Sequence, residues 1–198
     1  MEYALILAWS FPVLIVIILC FVAFIFATSE SIPTVKVFES EKTFKSSKNS
    51  GDLEAFPSLD DEATVDLSVI VPAYNEEERL PKMLEDCTNY LEKSGDNYEI
   101  IIVDDGSKDS TTKTGLEWSQ KLGSDKLRVL TLAKNLGKGG AVRRGMLVGR
   151  GKYLLFADAD GATTFSELAK LQKYLHVFFK NIVIYQINTT YLVISKLF

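Results

Sequence analysis

Four short runs rich in β-branched and aliphatic residues recur along this chain at intervals of about thirty residues, the size of a βαβ unit. They are DLSVIVP (66–72), YEIIIVDD (98–105), LRVLTL (127–132) and KYLLFAD (152–158). Apolar residues at successive positions, rather than alternate ones, suit strands buried on both faces. Segments with helical spacing lie between the runs. Leu80, Met83, Leu84, Cys87, Tyr90 and Leu91 form one apolar stripe. A second segment, 109–122, opens at an Asp or Ser cap and closes before Gly123. A third covers roughly 140–148, and a fourth begins after Thr164, where Glu167 completes a capping box. The alternation predicts an α/β fold with a mostly parallel, Rossmann-like doubly wound sheet, which binds ligands at the carboxyl ends of its strands.

The polar motifs collect at those ends. The first strand runs into PAYNEEE (72–78), the second into DDGSKDST (104–111), the third leads to KNLGKGGA (134–141), and the fourth ends in DADG (158–161). Each alone suits a helix cap or a tight turn; in a parallel sheet all four converge on one crevice. The set suits a nucleoside diphosphate bearing a neutral group. Tyr74 offers a ring face to a base, and Asp104 or Asp105 can accept from a base imide N–H. Ribose hydroxyls can donate to Glu76 or Asp158. The diphosphate would be repelled by Asp158 and Asp160 unless a divalent cation lay between, and hard oxygen ligands favour Mg²⁺ or Mn²⁺. Lys138, in a glycine-flanked loop, adds positive charge near the phosphates. A P-loop reading of GKGG fails, because Gly139 stands where Ser or Thr is required. An EF-hand reading of DADG fails because Phe156 would be its first ligand.

Charge and cysteine content exclude other classes. The formal net charge of -4 argues against a nucleic-acid binder. Cys20 and Cys87 give no disulfide framework, and the single His176 sits outside any cluster. From Tyr3 to Ser29 no residue is charged, a length sufficient for one membrane-spanning helix. No basic n-region precedes it, which favours a signal-anchor over a cleaved leader. Lys36, Lys42, Lys45 and Lys48 follow it, so the positive-inside rule places the remainder on the cytosolic side. Residues 30–64, rich in Ser, Lys, Glu and Asp, read as a linker with short elements.

SVIVPAYNEEERL, EIIIVDDGSKDST, KNLGKGGAVRRGM and FADADGATTF together resemble the dolichyl-phosphate β-glucosyltransferases, within the family-2 glycosyltransferases of GT-A fold. The likeness covers roughly Asp66 to Leu171. GKGGAVRRG with DADGAT favours the glucosyltransferases over the related dolichyl-phosphate mannose synthases, whose donor is GDP-mannose. The resemblance implies transfer of glucose from UDP-glucose to dolichyl phosphate, with inversion, at the cytosolic face of the endoplasmic-reticulum membrane, in the service of protein N-linked glycosylation. By position it implies that Pro72, Tyr74, Glu76 and Asp105 hold uridine with Asp104 beside them. Asp158 and Asp160 would be the D-x-D pair, Asp160 on the metal and Asp158 on the donor.

Four regions are therefore expected: a signal-anchor helix (1–29), a linker (30–64), the donor half of a GT-A domain (65–170) and an apolar tail (171–198). The tail carries none of the family pattern, as though an unrelated stretch had replaced the second half in a prematurely ended form. A catalytically incomplete nucleotide-sugar-binding fragment is the corresponding alternative. Asn188-Thr189-Thr190 is a glycosylation triplet that a cytosolic placement would leave unused, and Lys180 divides the tail's apolar run too closely for a second span.

Overall fold

A computed structural model describes residues 2–28, 36–47, 52–58, 61–161, 165, 185–187 and 191–195. The chain divides into two compact units, Met1–Lys36 and Val37–Phe198. The first holds helix α1, Glu2–Thr28, with Pro12 inside it. Among the described residues no helix is long and apolar enough to cross a membrane. The expected signal-anchor is thus met as a helix over Glu2–Thr28, while no membrane span is found among the described residues.

The second unit is built on a six-stranded sheet in the order β5-β4-β3-β6-β8-β7. Strands β3 (Val65–Ala73), β4 (Tyr98–Asp104), β5 (Leu127–Thr131) and β6 (Gly151–Phe156) are mutually parallel, matching the four apolar runs. Side chains alternate between two cores. Val69, Val71, Ile100 and Ile102 pack with α2 (Leu80–Ser94), whose Leu80, Met83, Leu84, Cys87 and Leu91 are buried as the stripe requires. Ile70, Ile101 and Val103 pack on the other face with Ala141 of α4 (Gly137–Leu147). Gly145 makes that approach close: a Cβ there would meet Ile70 Cγ2 at 2.4 Å and Val103 Cγ2 at 2.8 Å. Helix α2 ends at Gly95 in the left-handed region, and α3 (Thr111–Leu122) ends at Gly123.

Four expectations need revision or fall elsewhere. Helix α4 starts at Gly137, three residues before the predicted start, because glycines lower helix propensity without forbidding a helix that packs on a sheet. Lys138 thus stands in the first turn of α4 rather than in a loop. Within the expected linker, residues from Val37 on belong to the compact unit. There a 3₁₀ turn (Glu39–Glu41) precedes an antiparallel pair, β1 (Thr43–Lys45) and β2 (Leu53–Ala55). The rings of Phe44 and Phe56 lie 5.0 Å apart, and the Arg128 guanidinium stands 5.2 Å from each. Arg128 pairs with buried Glu99, which also accepts from Arg150 Nε at 3.0 Å and from the Ser68 hydroxyl at 2.5 Å. This network ties the amino ends of β3, β4 and β5 together, at the edge opposite the polar motifs. The tail, which the sequence leaves without assigned structure, supplies β7 (Tyr185–Ile187) and β8 (Tyr191–Ser195), with β8 antiparallel to β6. The predicted fourth helix with Glu167, His176, Lys180 and the triplet at Asn188 lie outside the described residues.

Candidate functional site

Strand β3 is flanked by β4 on one side and β6 on the other, so the chain reverses its direction of winding there. The carboxyl ends of these strands open a crevice at that reversal. Two turns build its wall and are joined by side-chain-to-backbone hydrogen bonds. Asn75, at φ 57°, donates its N–H to Ser107 Oγ at 2.9 Å, and Lys108 N donates to Asn75 Oδ1 at 2.9 Å. Glu76 N donates to Thr111 Oγ1 at 2.8 Å, Glu77 N to Asp109 Oδ2 at 3.2 Å, and Ser110 N to Glu77 Oε2 at 2.7 Å. Burial would raise the Asp109 carboxyl, but hydrogen bonds from Thr111 and Glu77 outweigh it and hold the group below its ordinary value. The sequence marks these joining residues only through the density of Asn, Asp, Ser and Thr in both motifs. Gly106 is needed where it stands: its φ is +73°, and a Cβ would come within 3.1 Å of Asn135 N.

A cavity of about 230 Å³ opens in this crevice. Pro72, Tyr74, Glu76, Asp105, Lys138, Asp158 and Asp160 all line it, together with Ala73, Ala141 and Ala159. The alanines carry no signal in the sequence; their small side chains leave the room. Tyr74 is 44% exposed, so its ring is open to stacking. Asp105 Oδ1 accepts from Leu136 N at 2.7 Å, which fixes the start of α4 against the end of β4.

Asp104 is the one candidate the structure turns away from the cavity. It is buried, and its carboxylate accepts from Ser107 N at 2.9 Å and from the Thr112 hydroxyl. Successive residues of a strand point to opposite faces, so Asp104 and Asp105 cannot share one role. Asp104 shapes the turn that Asp105 uses.

The electrostatics are strongly acidic. Glu76 Oε1 meets Arg79 Nη2 at 2.6 Å, while Oε2 is buried without a hydrogen-bond partner among the described residues. Burial raises the Glu76 carboxyl above its ordinary value; Arg79 opposes this, and Asp160 and Asp109 add to it. Lys138 Nζ lies 2.5 Å from Asp158 Oδ1 and 5.5 Å from the Phe156 ring centroid. Among the described residues no group of three or more His, Cys, Asp and Glu is placed to hold an ion on its own. The donor set does fit an ion that takes one or two carboxylates together with substrate phosphates, as Mg²⁺ does. The unpartnered Glu76 oxygen beside Asp160 marks where positive charge or a hydroxyl donor is wanted.

A family model described as Glycosyl transferase family 2 matches residues 68–195, from within β3 through β8, and so reaches past Leu171 into the tail that was expected to carry none of the family pattern. The dolichyl-phosphate beta-glucosyltransferase of Mus musculus is 51% identical over 162 residues, covering 79% of this chain and 49% of the relative. That of Homo sapiens is 49% identical over 156 residues, covering 76% and 48%. That of Saccharomyces cerevisiae is 48% identical over 124 residues, covering 59% and 37%. The chain spans about half the length, or less, of these curated relatives. The architecture is α/β and GT-A-like, with a mostly parallel sheet, and the chain belongs to glycosyl transferase family 2.

Proposed function

We propose that this chain binds UDP-glucose in the crevice and transfers glucose to dolichyl phosphate, the acceptor in its relatives' names. The observation that carries the reading is the meeting of Tyr74, Glu76 and Asp105 with Asp158, Asp160 and Lys138 around one cavity. Tyr74 would stack on uracil and Asp105 would accept from its imide N–H. Glu76 would accept from ribose, which would supply its buried oxygen with a partner. In the transfer, the bond between the anomeric carbon and the diphosphate oxygen breaks and its electron pair leaves with UDP. An oxygen of the acceptor phosphate forms the new bond from the opposite side, inverting that carbon. A phosphate monoester, with a second pKa of about 6, is largely ionised near neutral pH, so no side chain has to act as a strong base. A divalent cation, Mg²⁺ or Mn²⁺, held through Asp160 with Asp158 beside the donor, would neutralise the departing diphosphate.

The acceptor's polyprenyl chain stays in a bilayer, and the uncharged run over α1 suits an anchor that keeps the crevice at its surface. The endoplasmic-reticulum membrane, with the crevice on its cytosolic side, is the placement proposed. Deleting residues 1–29 should release the protein from membranes; retained attachment would locate the membrane contact elsewhere in the chain.

The deciding assay offers UDP-glucose and GDP-mannose separately, with Mg²⁺, to membranes that contain this chain and dolichyl phosphate, with Asp160→Ala as control. Glucose transfer lost in the variant supports the proposal. Mannose transfer would replace the donor, and UDP-glucose binding without transfer would reduce the chain to a nucleotide-sugar-binding fragment.

A further inference from the structure

Among the described residues, the cavity lining carries four carboxylates, from Glu76, Asp105, Asp158 and Asp160, and one ammonium, from Lys138. That ammonium is not directed to open solvent; it sits against Asp158 at 2.5 Å. The two side chains differ in freedom. Asp158 is 19% exposed and fixed just beyond the end of β6, whereas Lys138 is 55% exposed. Lys138 also stands in the first turn of α4, between Gly137 at φ +74° and Gly139, around which there is open space. A four-carbon stem on such a turn can swing its charge several ångströms without moving the helix.

We infer that Lys138 is an exchangeable counter-ion that links metal binding to nucleotide binding. This rests on the donor-site reading above. In the ligand-free crevice Lys138 neutralises Asp158 and so makes a cluster of carboxylates tolerable in a half-closed cavity. A divalent cation arriving alone must compete with that ammonium. When the diphosphate arrives as well, Lys138 moves from Asp158 to a phosphate oxygen, and the displaced contact is replaced on both sides. Metal alone therefore binds weakly, nucleotide alone binds weakly, and each strengthens the other by the same factor, as linkage requires. The pairing also explains why the residue between the two glycines carries a long flexible cation: a short or apolar side chain could not make the exchange.

The test measures Mn²⁺ binding by electron paramagnetic resonance and UDP binding by calorimetry, each with and without the other ligand, on the full chain and on Lys138→Met. The expected result is that the variant binds Mn²⁺ alone about 1.4- to fivefold more tightly, the range for an exposed ion pair. It should bind UDP more weakly at saturating Mn²⁺, so that the coupling factor falls toward one. Lys138→Arg should retain part of the coupling, because it keeps the charge. Lys138 is half-exposed, and an unchanged near-ultraviolet circular dichroism spectrum would verify that Lys138→Met is folded; if it is not, Lys138→Arg and the salt dependence of Mn²⁺ binding to the unsubstituted chain give the same readout. Unaltered Mn²⁺ affinity in a folded Lys138→Met would overturn the counter-ion role while leaving the donor site standing. If the unsubstituted chain bound no UDP under any condition, the donor-site reading would fall, and this inference with it.

Discussion

Glu41 Oε2 and Arg144 Nη2 form an ion pair at 3.3 Å, both side chains almost fully buried, across 103 positions of sequence. Glu41 Oε1 also accepts from Ala133 N at 3.1 Å. The pair fastens the segment before β1 to the helix whose first turn carries Lys138. Removing one member of a buried pair leaves the other charge without its compensation, at a cost of about 3–5 kcal/mol. Glu41→Ala should therefore lower the unfolding free energy by about that amount in denaturant titrations. A loss under 1 kcal/mol would show that water replaces the carboxylate and that the segment is only loosely docked.

The packing of α4 on the sheet depends on the missing side chain at Gly145. Inserting a methyl group where Ile70 and Val103 already stand inside contact distance overpacks the interface. Gly145→Ala should destabilise by about 1–3 kcal/mol, even though alanine favours helix. Thermal unfolding measures it, and a gain in melting temperature would mean that α4 can shift outward freely.

Asp104 and Asp105 are neighbours with different tasks, and substitution separates them. Asp104→Ala removes a buried carboxylate's hydrogen bonds from Ser107 and Thr112. It should cost about 1.5–3 kcal/mol of stability, with UDP affinity held within about threefold. Asp105→Ala should weaken UDP binding far more. Equal losses of affinity would return Asp104 to the binding set.

Glu76 gives a pH-dependent prediction with a defined sign. Its carboxyl is raised by burial, with Asp160 and Asp109 adding and Arg79 opposing. The folded state therefore holds the proton more tightly than the unfolded chain, and stability falls as pH rises through the window. That window begins at the ordinary glutamate value, about 4.3, and ends above the raised folded value. Glu76→Gln lacks this titration. Its stability relative to the unsubstituted chain should rise with pH across that window and level off above it. A flat difference from pH 4 to 7 would show that Arg79 fully offsets the burial.

The sequence by itself determined the parallel core of this protein. Strand signals come from runs of residues such as Val69 to Val71 and Ile100 to Val103, and helix signals from the stripe between Leu80 and Leu91. Both are local periodicities, so they survive without knowledge of what they pack against. The rule that parallel strands gather their loops at one edge then brought Pro72, Tyr74, Glu76, Asp105, Lys138, Asp158 and Asp160 into one cavity. Three matters were left to the tertiary structure. The division of labour between Asp104 and Asp105 depends on which face each residue takes at the last step of β4. The docking of the segment from Val37 depends on Glu41 finding Arg144 and on Phe44 and Phe56 enclosing Arg128. The resting position of Lys138 depends on Asp158, which comes from the next strand. The first turns on where β4 ends; the other two rest on contacts between residues from different elements, and a lone charge or ring leaves no periodic trace from which its partner can be read.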